Sequence, residues 1–361
     1  MSVLSDLSDL SDLSDLSLLP AFELHEEALR DEAVHEGRQA AVRWQLLGLR
    51  PSDGLPVLAV QRTVAARLEL PTRGTVVLVH GLAQNHRTWQ LSGRSLPAWL
   101  AERGYEVLNV DLRGHGLSRR LGALPARSVA DYVDDLSRLL HALPRPAFVA
   151  GHSLGAAVAL LTAPRAPMAG LVHWAGIYTF ARDNPMIRGA ARLNLALSGL
   201  QPQSAAMSWR FAGKLIANVS RIAEPINAVA PIRGWGYKSF ERSLLQERVA
   251  TGFDVTGLAV MQEMSRWALG EPVDDGSFAA LEELPLLIFS GTADKLATVA
   301  DGRACYQTSR SRDRTHVVFS RETHGFSAGH LDIVIGRQAP QVVWPELLSW
   351  LDARTRRGEI Q

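Results

Sequence analysis

The stretch AFVAGHSLGAAVAL, residues 147–160, decides the fold. Residues 147–151 form a short apolar run typical of a buried strand, and residues 154–163 have the composition of a helix. Ser153 stands between them in the pattern Gly-x-Ser-x-Gly, with Gly151 and Gly155 on either side. Glycines at these positions remove the side chains that would collide in a sharp strand-to-helix turn. The stretch therefore predicts a tight turn that lifts the Ser153 hydroxyl above the edge of a sheet.

Short apolar runs alternate with longer helical patterns on both sides of this turn. A predicted antiparallel pair, residues 42–49 and 57–65, precedes them and is joined by a Pro-Ser-Asp-Gly turn. The alternation predicts an α/β protein with a mostly parallel sheet and helices on both faces. The predicted strands are 75–80, 106–111, 147–151, 170–175, 286–290 and 315–320, and the predicted helices are 96–103, 129–142, 154–163, 299–307 and 342–351.

The strand–helix alternation also divides the chain into segments. Residues 178–281 contain no strand pattern, only helical patches such as 207–216 and 258–269, which predicts a helical lid inserted into the sheet domain. Residues 37–177 and 282–361 then form the two parts of the core. Residues 1–36 are acidic and begin with a Ser-Asp-Leu repeat, whose period of three fits neither a helix nor a strand. We predict a disordered tail there.

The composition excludes several classes of protein. The 361 residues carry 38 basic and 37 acidic side chains, a net charge of +1, which argues against nucleic-acid binding through a basic surface. The single cysteine, Cys305, excludes an internal disulfide and a cysteine-rich zinc site. No apolar run is long enough to span a membrane, and the first residues lack the pattern of a secretory signal, so we expect a cytoplasmic protein. A phosphate-binding glycine loop and a zinc-binding HExxH helix are missing from the sequence, and we expect no cofactor.

Three motifs resemble the α/β-hydrolase superfamily, in particular its lipases and esterases. They are the GHSLG turn around Ser153, His80-Gly-Leu at the end of strand 75–80, and DLRGHGLS at residues 111–118. The resemblance covers roughly residues 41–354. It implies that Ser153 is the nucleophile and that the backbone N–H groups of Leu82 and Leu154 form the oxyanion hole. We expect packing or hydrogen-bonding roles for His80 and His152, which adjoin the site.

A serine nucleophile needs a base, usually a histidine that a carboxylate holds in the right tautomer. The order in this superfamily is serine, then acid, then histidine. Asp294 follows the predicted strand 286–290 in a turn of small residues, at the sheet edge where site residues gather. It is the preferred acid. Asp183, just after the preceding strand, is the alternative, and Asp301 fits less well because it falls within a predicted helix.

Two histidines follow the last predicted strand, and either is a candidate base. His324 stands in Thr-His-Gly-Phe, and His330 stands in Ala-Gly-His-Leu-Asp. The C-terminal region from residue 329 resembles polyhydroxyalkanoate-synthase-like hydrolases, in which the matching histidine is catalytic. The resemblance therefore favours His330. It does not imply polymerisation, because those synthases carry a cysteine where this chain has Ser153.

These residues predict a serine hydrolase that cleaves a carboxylic ester or thioester. A helical lid over such a site usually makes an apolar pocket, so we expect a small-molecule substrate with a hydrophobic acyl group. Two alternatives stay open on the sequence. One is an acyltransferase that uses the same Ser153, Asp294 and His330, and the other is a hydrolase-fold protein that binds without catalysis.

Overall fold

A computed structural model describes residues 19–51, 56–67, 72–200, 205–210, 234–236 and 238–358. Its centre is a nine-stranded sheet whose strands lie in the order β1-β2-β3-β7-β4-β8-β9-β12-β13. These strands are β1 Phe22–His35, β2 Arg38–Leu49, β3 Leu58–Ala65, β4 Gly74–Val79, β7 Tyr105–Asp111, β8 Ala147–His152, β9 Met168–Trp174, β12 Leu286–Gly291 and β13 Arg314–Phe319. Four short strands form two separate ribbons, β5 Gln90–Leu91 with β6 Arg94–Ser95, and β10 Ala206–Ser208 with β11 Val255–Gly257.

The sheet is antiparallel at its N-terminal side and parallel elsewhere. Strands β1, β2, β3 and β7 pair antiparallel, and the five pairings from β7 through β4, β8, β9 and β12 to β13 are parallel. The carboxyl ends of the parallel strands therefore share one edge, where site residues collect. The predicted mostly parallel sheet and the predicted antiparallel pair at residues 42–49 and 57–65 are both confirmed.

Helices cover both faces of the sheet. On β4, Val76 and Leu78 belong to one apolar cluster, and Val77 and Val79 belong to another, so the two clusters lie on opposite faces. The helices are α1 Leu96–Ala101, α2 Gly116–Arg120, α3 Val129–Ala142, α4 Leu154–Thr162, α5 Pro185–Ala196, α6 Arg242–Thr251, α7 Leu258–Leu269, α8 Val299–Thr308, α9 Arg321–His324, α10 Asp332–Ile335 and α11 Trp344–Gly358. None of the helices in the described ranges is both long and apolar enough to cross a bilayer.

The N-terminal segment corrects one prediction. We predicted a disordered tail over residues 1–36, but Phe22–His35 form β1, the edge strand of the sheet. Half of the side chains of β1 are exposed, because an edge strand with little covering it needs few apolar residues. The polar composition of these residues therefore concealed the strand. Residues 1–18, with the Ser-Asp-Leu repeat, lie outside the described residues.

Between β9 and β12 the chain leaves the central sheet. This segment contains α5, α6, α7 and the β10–β11 ribbon. The helix predicted at residues 258–269 is confirmed as α7. The helix predicted at residues 207–216 is wrong at its start, since Ala206–Ser208 pair with Val255–Gly257, and residues 211–216 lie outside the described part. The division of the chain at residues 178 and 281 remains a prediction.

Candidate active site

Ser153 occupies the turn between β8 and α4, as the sequence predicts. Its backbone has φ 57° and ψ −119°, a conformation that residues with a side chain rarely adopt. A methyl group on Gly151 would lie 2.2 Å from the Gly155 carbonyl oxygen, and one on Gly155 would lie 2.4 Å from the carbonyl oxygens of Val79 and His80. Only glycine fits at either position. The two glycines thus permit the strained turn that presents Ser153 at the sheet edge.

A substitution at Gly155 tests how tightly this turn is packed. We expect Gly155→Ala to lower the free energy of unfolding by about 1 to 3 kcal/mol, because the new methyl group would collide with rigid strand backbone. Gly189→Ala in α5 is the control, since nothing lies within 4 Å of the added carbon and alanine favours a helix. Urea unfolding of the two variants measures the difference. Equal stability would show that the backbone yields at the turn.

Asp294 and His330 form a buried pair. His330 Nδ1 donates to Asp294 Oδ2 at 2.8 Å, and both side chains are almost completely enclosed. The second carboxylate oxygen, Oδ1, accepts the backbone N–H groups of Leu296 at 2.8 Å and Ala297 at 3.0 Å. With Asp294 held in this way, its hydrogen bond fixes the orientation of the His330 ring and leaves Nε2 able to accept a proton.

The loops that carry the pair are joined to each other. The Ala293 N–H donates to the Ala328 carbonyl oxygen at 3.0 Å, and a side chain on Gly291 would lie 2.1 Å from the same oxygen. The loop after β12 and the loop before α10 therefore pack backbone against backbone. This contact brings Asp294 and His330 together across 36 residues of sequence.

His330 also contacts the residue next to the serine. Its carbonyl oxygen lies 2.9 Å from His152 Nε2, and the two imidazole centroids are 4.7 Å apart. Burial, with a smaller contribution from His330, lowers the pKa of His152 well below its ordinary value, which favours its neutral form. The described hydrogen bonds of His330 are those to Asp294 and His152, and none joins it to Ser153 Oγ. In enzymes without substrate this bond often forms only in the complex.

The alternative candidates lie elsewhere. His324 contacts the Thr323 hydroxyl at 2.7 Å and the ring of Phe319, and none of its hydrogen bonds in the described part of the chain reaches a carboxylate. Asp183 is exposed. Asp301 caps α8 and accepts the Thr179 backbone N–H at 2.8 Å. Of the five residues considered as acid or base, the structure brings only Asp294 and His330 into contact.

The N–H groups of Leu82 and Leu154 are the predicted oxyanion donors. Leu154 is the first residue of α4, so its N–H has no partner within the helix. Across the described ranges, neither N–H donates to an acceptor. Both groups thus stay available for an oxygen near Ser153.

His80 supports the loop that carries Leu82. His80 Nε2 accepts the Leu112 N–H at 3.1 Å, so the proton is on Nδ1, which donates to the Gly81 carbonyl oxygen at 2.9 Å. Burial lowers the pKa of His80, which is consistent with this neutral tautomer. His80 therefore ties the loop after β4 to the chain that leaves β7, the hydrogen-bonding role expected for it.

Asp111 performs a similar task for the DLRGHGLS segment. Its carboxylate accepts hydrogen bonds from the backbone N–H of His86, from His86 Nδ1 and from the backbone N–H of Leu117, each at 2.7 Å. Burial alone would raise the pKa of Asp111, but the His86 imidazole and the N–H donors outweigh burial and hold the pKa well below its usual range. Asp111 therefore joins the DLRGHGLS segment to the loop after β4.

Two side chains near the site were not predicted from the sequence. Gln84 Oε1 accepts a hydrogen bond from Arg248 Nη2 at 2.7 Å, across 164 residues of sequence. Neither residue belongs to a recognisable motif, so no local signal identifies them. As for metals, no group of three His, Cys, Asp or Glu side chains among the described residues is arranged to hold an ion.

Comparison with known proteins agrees with this architecture. The sequence is 40% identical over 101 residues to the pimeloyl-[acyl-carrier protein] methyl ester esterase of Methylococcus capsulatus, a match that spans 28% of this chain and only 35% of that protein. It is 26% identical over 319 residues to the magnesium-chelatase 30 kDa subunit of Rhodobacter capsulatus, covering 83% of this chain and 93% of the relative. The crystal structure of Paleococcus ferrophilus monoacylglycerol lipase superposes with a TM-score of 0.57 at 17% identity, covering 82% of this chain and 99% of the other. The profile of the alpha/beta hydrolase family matches residues 76–343, well over half of the sequence, and the chain therefore belongs to that family.

Proposed function

We propose that the protein is a serine hydrolase that cleaves a carboxylic ester or thioester through an acyl-enzyme on Ser153. The observation that carries this proposal is the buried hydrogen bond of 2.8 Å between His330 and Asp294, beside a serine held on a strained turn. An oriented imidazole and a serine hydroxyl are the two groups that activation of a serine requires. The esterase from Methylococcus capsulatus, similar over about a quarter of this chain, agrees with ester cleavage.

In the proposed reaction Ser153 Oγ attacks the acyl carbonyl carbon, and its proton passes to His330 Nε2. The carbonyl electron pair moves onto oxygen, where the N–H groups of Leu82 and Leu154 stabilise the negative charge. The bond from carbon to the leaving oxygen or sulfur then breaks, and His330 returns the proton to the leaving group. Water then attacks the carbonyl carbon of the acyl-enzyme in the same way, with His330 as the base, and the carboxylic acid leaves Ser153. Asp294 stabilises the imidazolium in both halves.

A hydrophobic acyl group is the second part of the proposal. The chain between β9 and β12 contacts the loop of His330, since Leu331 N donates to Gly234 O at 2.8 Å and Gly236 N donates to Asp332 Oδ2 at 3.1 Å. Trp235 belongs to the same apolar cluster as Leu331. An apolar segment against the catalytic loop supports a lid and an apolar acyl pocket.

Labelling with a fluorophosphonate tests the proposed nucleophile. We expect the wild-type protein to be labelled on Ser153 and to hydrolyse medium-chain p-nitrophenyl esters, and we expect Ser153→Ala to lose both properties, because no other group supplies the attacking oxygen. Circular dichroism of the variant serves as the folding control. Labelling that persists in Ser153→Ala would contradict the nucleophile, and a strong preference for short, charged esters would contradict the apolar pocket.

A binding protein without catalysis is the second candidate. One observation favours it: the relative that matches 83% of this chain is named as a subunit of magnesium chelatase, not as a hydrolase. The labelling experiment separates the two candidates, because a binding protein has no need of a reactive serine. Product analysis in the presence of an added alcohol separates hydrolysis from acyl transfer.

A further inference from the structure

Arg248, on α6, is a buried charge. Its side chain is 0% exposed, and Nη2 donates to Gln84 Oε1 at 2.7 Å. Within the described residues, Nε and Nη1 have no hydrogen-bond partner, and no carboxylate pairs with the guanidinium. Burial lowers the pKa of Arg248 to about 10, so it stays charged at neutral pH. An unpaired buried charge is costly, and a fold that retains one often uses it at a functional site.

Arg248 fixes the orientation of the Gln84 amide. A guanidinium only donates hydrogen bonds, so the atom that faces it must be the amide oxygen. Thr88 Oγ1 donates to the same oxygen at 2.7 Å. With Oε1 held by two donors, the NH₂ group of Gln84 points away from Arg248. In the described structure this nitrogen has no acceptor. It is not one of the polar atoms that are fully buried without a hydrogen bond, as Arg248 Nε and Nη1 are.

The amide nitrogen of Gln84 lies near the nucleophile. A methyl group placed on Gly81 would lie 3.0 Å from Ser153 Cβ and 3.1 Å from Gln84 Nε2. Gly81 has no side chain, so both atoms border the same space beside its Cα. Gly81 also directly precedes Leu82, one of the two proposed oxyanion donors. The amide hydrogens of Gln84 are therefore close both to the serine and to the loop that receives the oxyanion.

We propose that the side chain of Gln84 is a third donor for the oxygen that becomes negative during the reaction, and that Arg248 is the positioning residue behind it. This inference rests on the proposed serine hydrolase function. The guanidinium charge polarises the amide, and the positive end of the amide dipole points at the developing charge, where a fixed donor stabilises a transition state most strongly. The reaction steps and the proton path stay as described above, because Gln84 gives up no proton.

Kinetics of Gln84→Leu test the inference. We expect kcat for a neutral p-nitrophenyl ester to fall roughly 10- to 100-fold with KM changed less than about three-fold, since the lost bond forms fully only in the transition state. The rate of fluorophosphonate labelling should fall by a similar factor, because the phosphonyl oxygen occupies the same place. Gln45→Leu is the matched control: Gln45 is a buried glutamine on β2, bonded to Glu27 and Arg62, and its loss should leave kcat unchanged.

Arg248→Met shows whether Arg248 acts through Gln84. Removal of an unpaired buried charge should leave the protein folded, and we expect kcat to fall roughly 10-fold because the amide is then free to turn. In the double variant with Gln84→Leu, kcat should be no lower than in Gln84→Leu alone, since residues that act as a unit are not additive. Independent, multiplying effects in the double variant would overturn the positioning role.

Two further results would overturn the inference. If wild type is labelled and Gln84→Leu is labelled equally fast, the third donor is wrong while the serine hydrolase stands; if wild type is not labelled, both are wrong. A matched pair of esters, one neutral and one carrying a carboxylate on the acyl chain, provides the other result. The oxyanion role predicts the same loss of kcat for both, whereas a raised KM for the charged ester alone would show that Gln84 binds a substrate carboxylate instead.

Discussion

Replacing His330 by alanine is expected to lower kcat by roughly 10⁴-fold or more, because Ser153 then has no group to accept its proton. Of the two histidines that the sequence offers, His330 alone lies against a buried carboxylate and against the residue before the serine. The backbone around His330 is held by hydrogen bonds that alanine keeps, including the one from Ile333 N to Gly329 O at 3.2 Å. The loop should therefore keep its conformation in the variant, and the loss should appear in kcat.

His324→Ala is the matched control for this prediction. It removes an imidazole from the same stretch of chain, but one that contacts Thr323 and Phe319 instead of a carboxylate. We expect its kcat to stay within about two-fold of wild type, as for most substitutions away from a site. Steady-state rates on one p-nitrophenyl ester measure both variants. Inactivation by His324→Ala together with an active His330→Ala would reverse the assignment of the base.

Asp294→Asn should be almost as damaging, with kcat reduced by roughly 10⁴-fold. The reason is the tautomer of His330. Asp294 Oδ1 accepts two backbone N–H groups, from Leu296 and Ala297, so the asparagine oxygen must stay at that position and its NH₂ group must face His330 Nδ1. The imidazole then accepts at Nδ1 and carries its proton on Nε2, where it cannot take the proton of Ser153.

Asp183→Asn is the control for the acid. Its carboxylate is exposed, and the same change of charge there should leave kcat unaffected. Both variants replace one carboxylate oxygen by an NH₂ group. Any general effect of losing a negative charge is therefore the same in both, and a difference in kcat between them reports on the position of the residue. A loss of activity in Asp183→Asn equal to that in Asp294→Asn would refute the proposed acid.

Much of the fold was accessible from the sequence because its signals are local. The turn at Ser153 needs glycines at fixed positions within five residues, and α3 and α7 follow their apolar periodicity from end to end. β1 had no such signal. Its fully buried side chains, Phe22 and Val34, lie near its two ends, and the residues between them read as a polar tail.

The candidate site was only partly accessible. Chain order and the family resemblance reduced the acid and the base to a few candidates, but residues of one type at the same sheet edge have the same chemistry. Contact between Asp294 and His330 depends on how two loops 36 residues apart pack. Gln84 and Arg248 lie 164 residues apart and belong to no repeating pattern. Pairings of single residues at that distance depend on the whole topology, and a sequence read segment by segment does not contain them.

The outer edge of the sheet also affects how molecules of this protein meet one another. Among the described residues β1 pairs with β2 alone, so its other side presents backbone N–H and C=O groups to an approaching strand. Along it stand the exposed carboxylates of Glu23, Glu26, Glu27 and Asp31, and its one arginine, Arg30, pairs with Glu26 alone among them and lies over the ring of Trp44. Two copies aligned edge to edge would bring like charges together. Electrostatic repulsion thus protects this border against intermolecular strand pairing and aggregation, and concentrated salt weakens that protection.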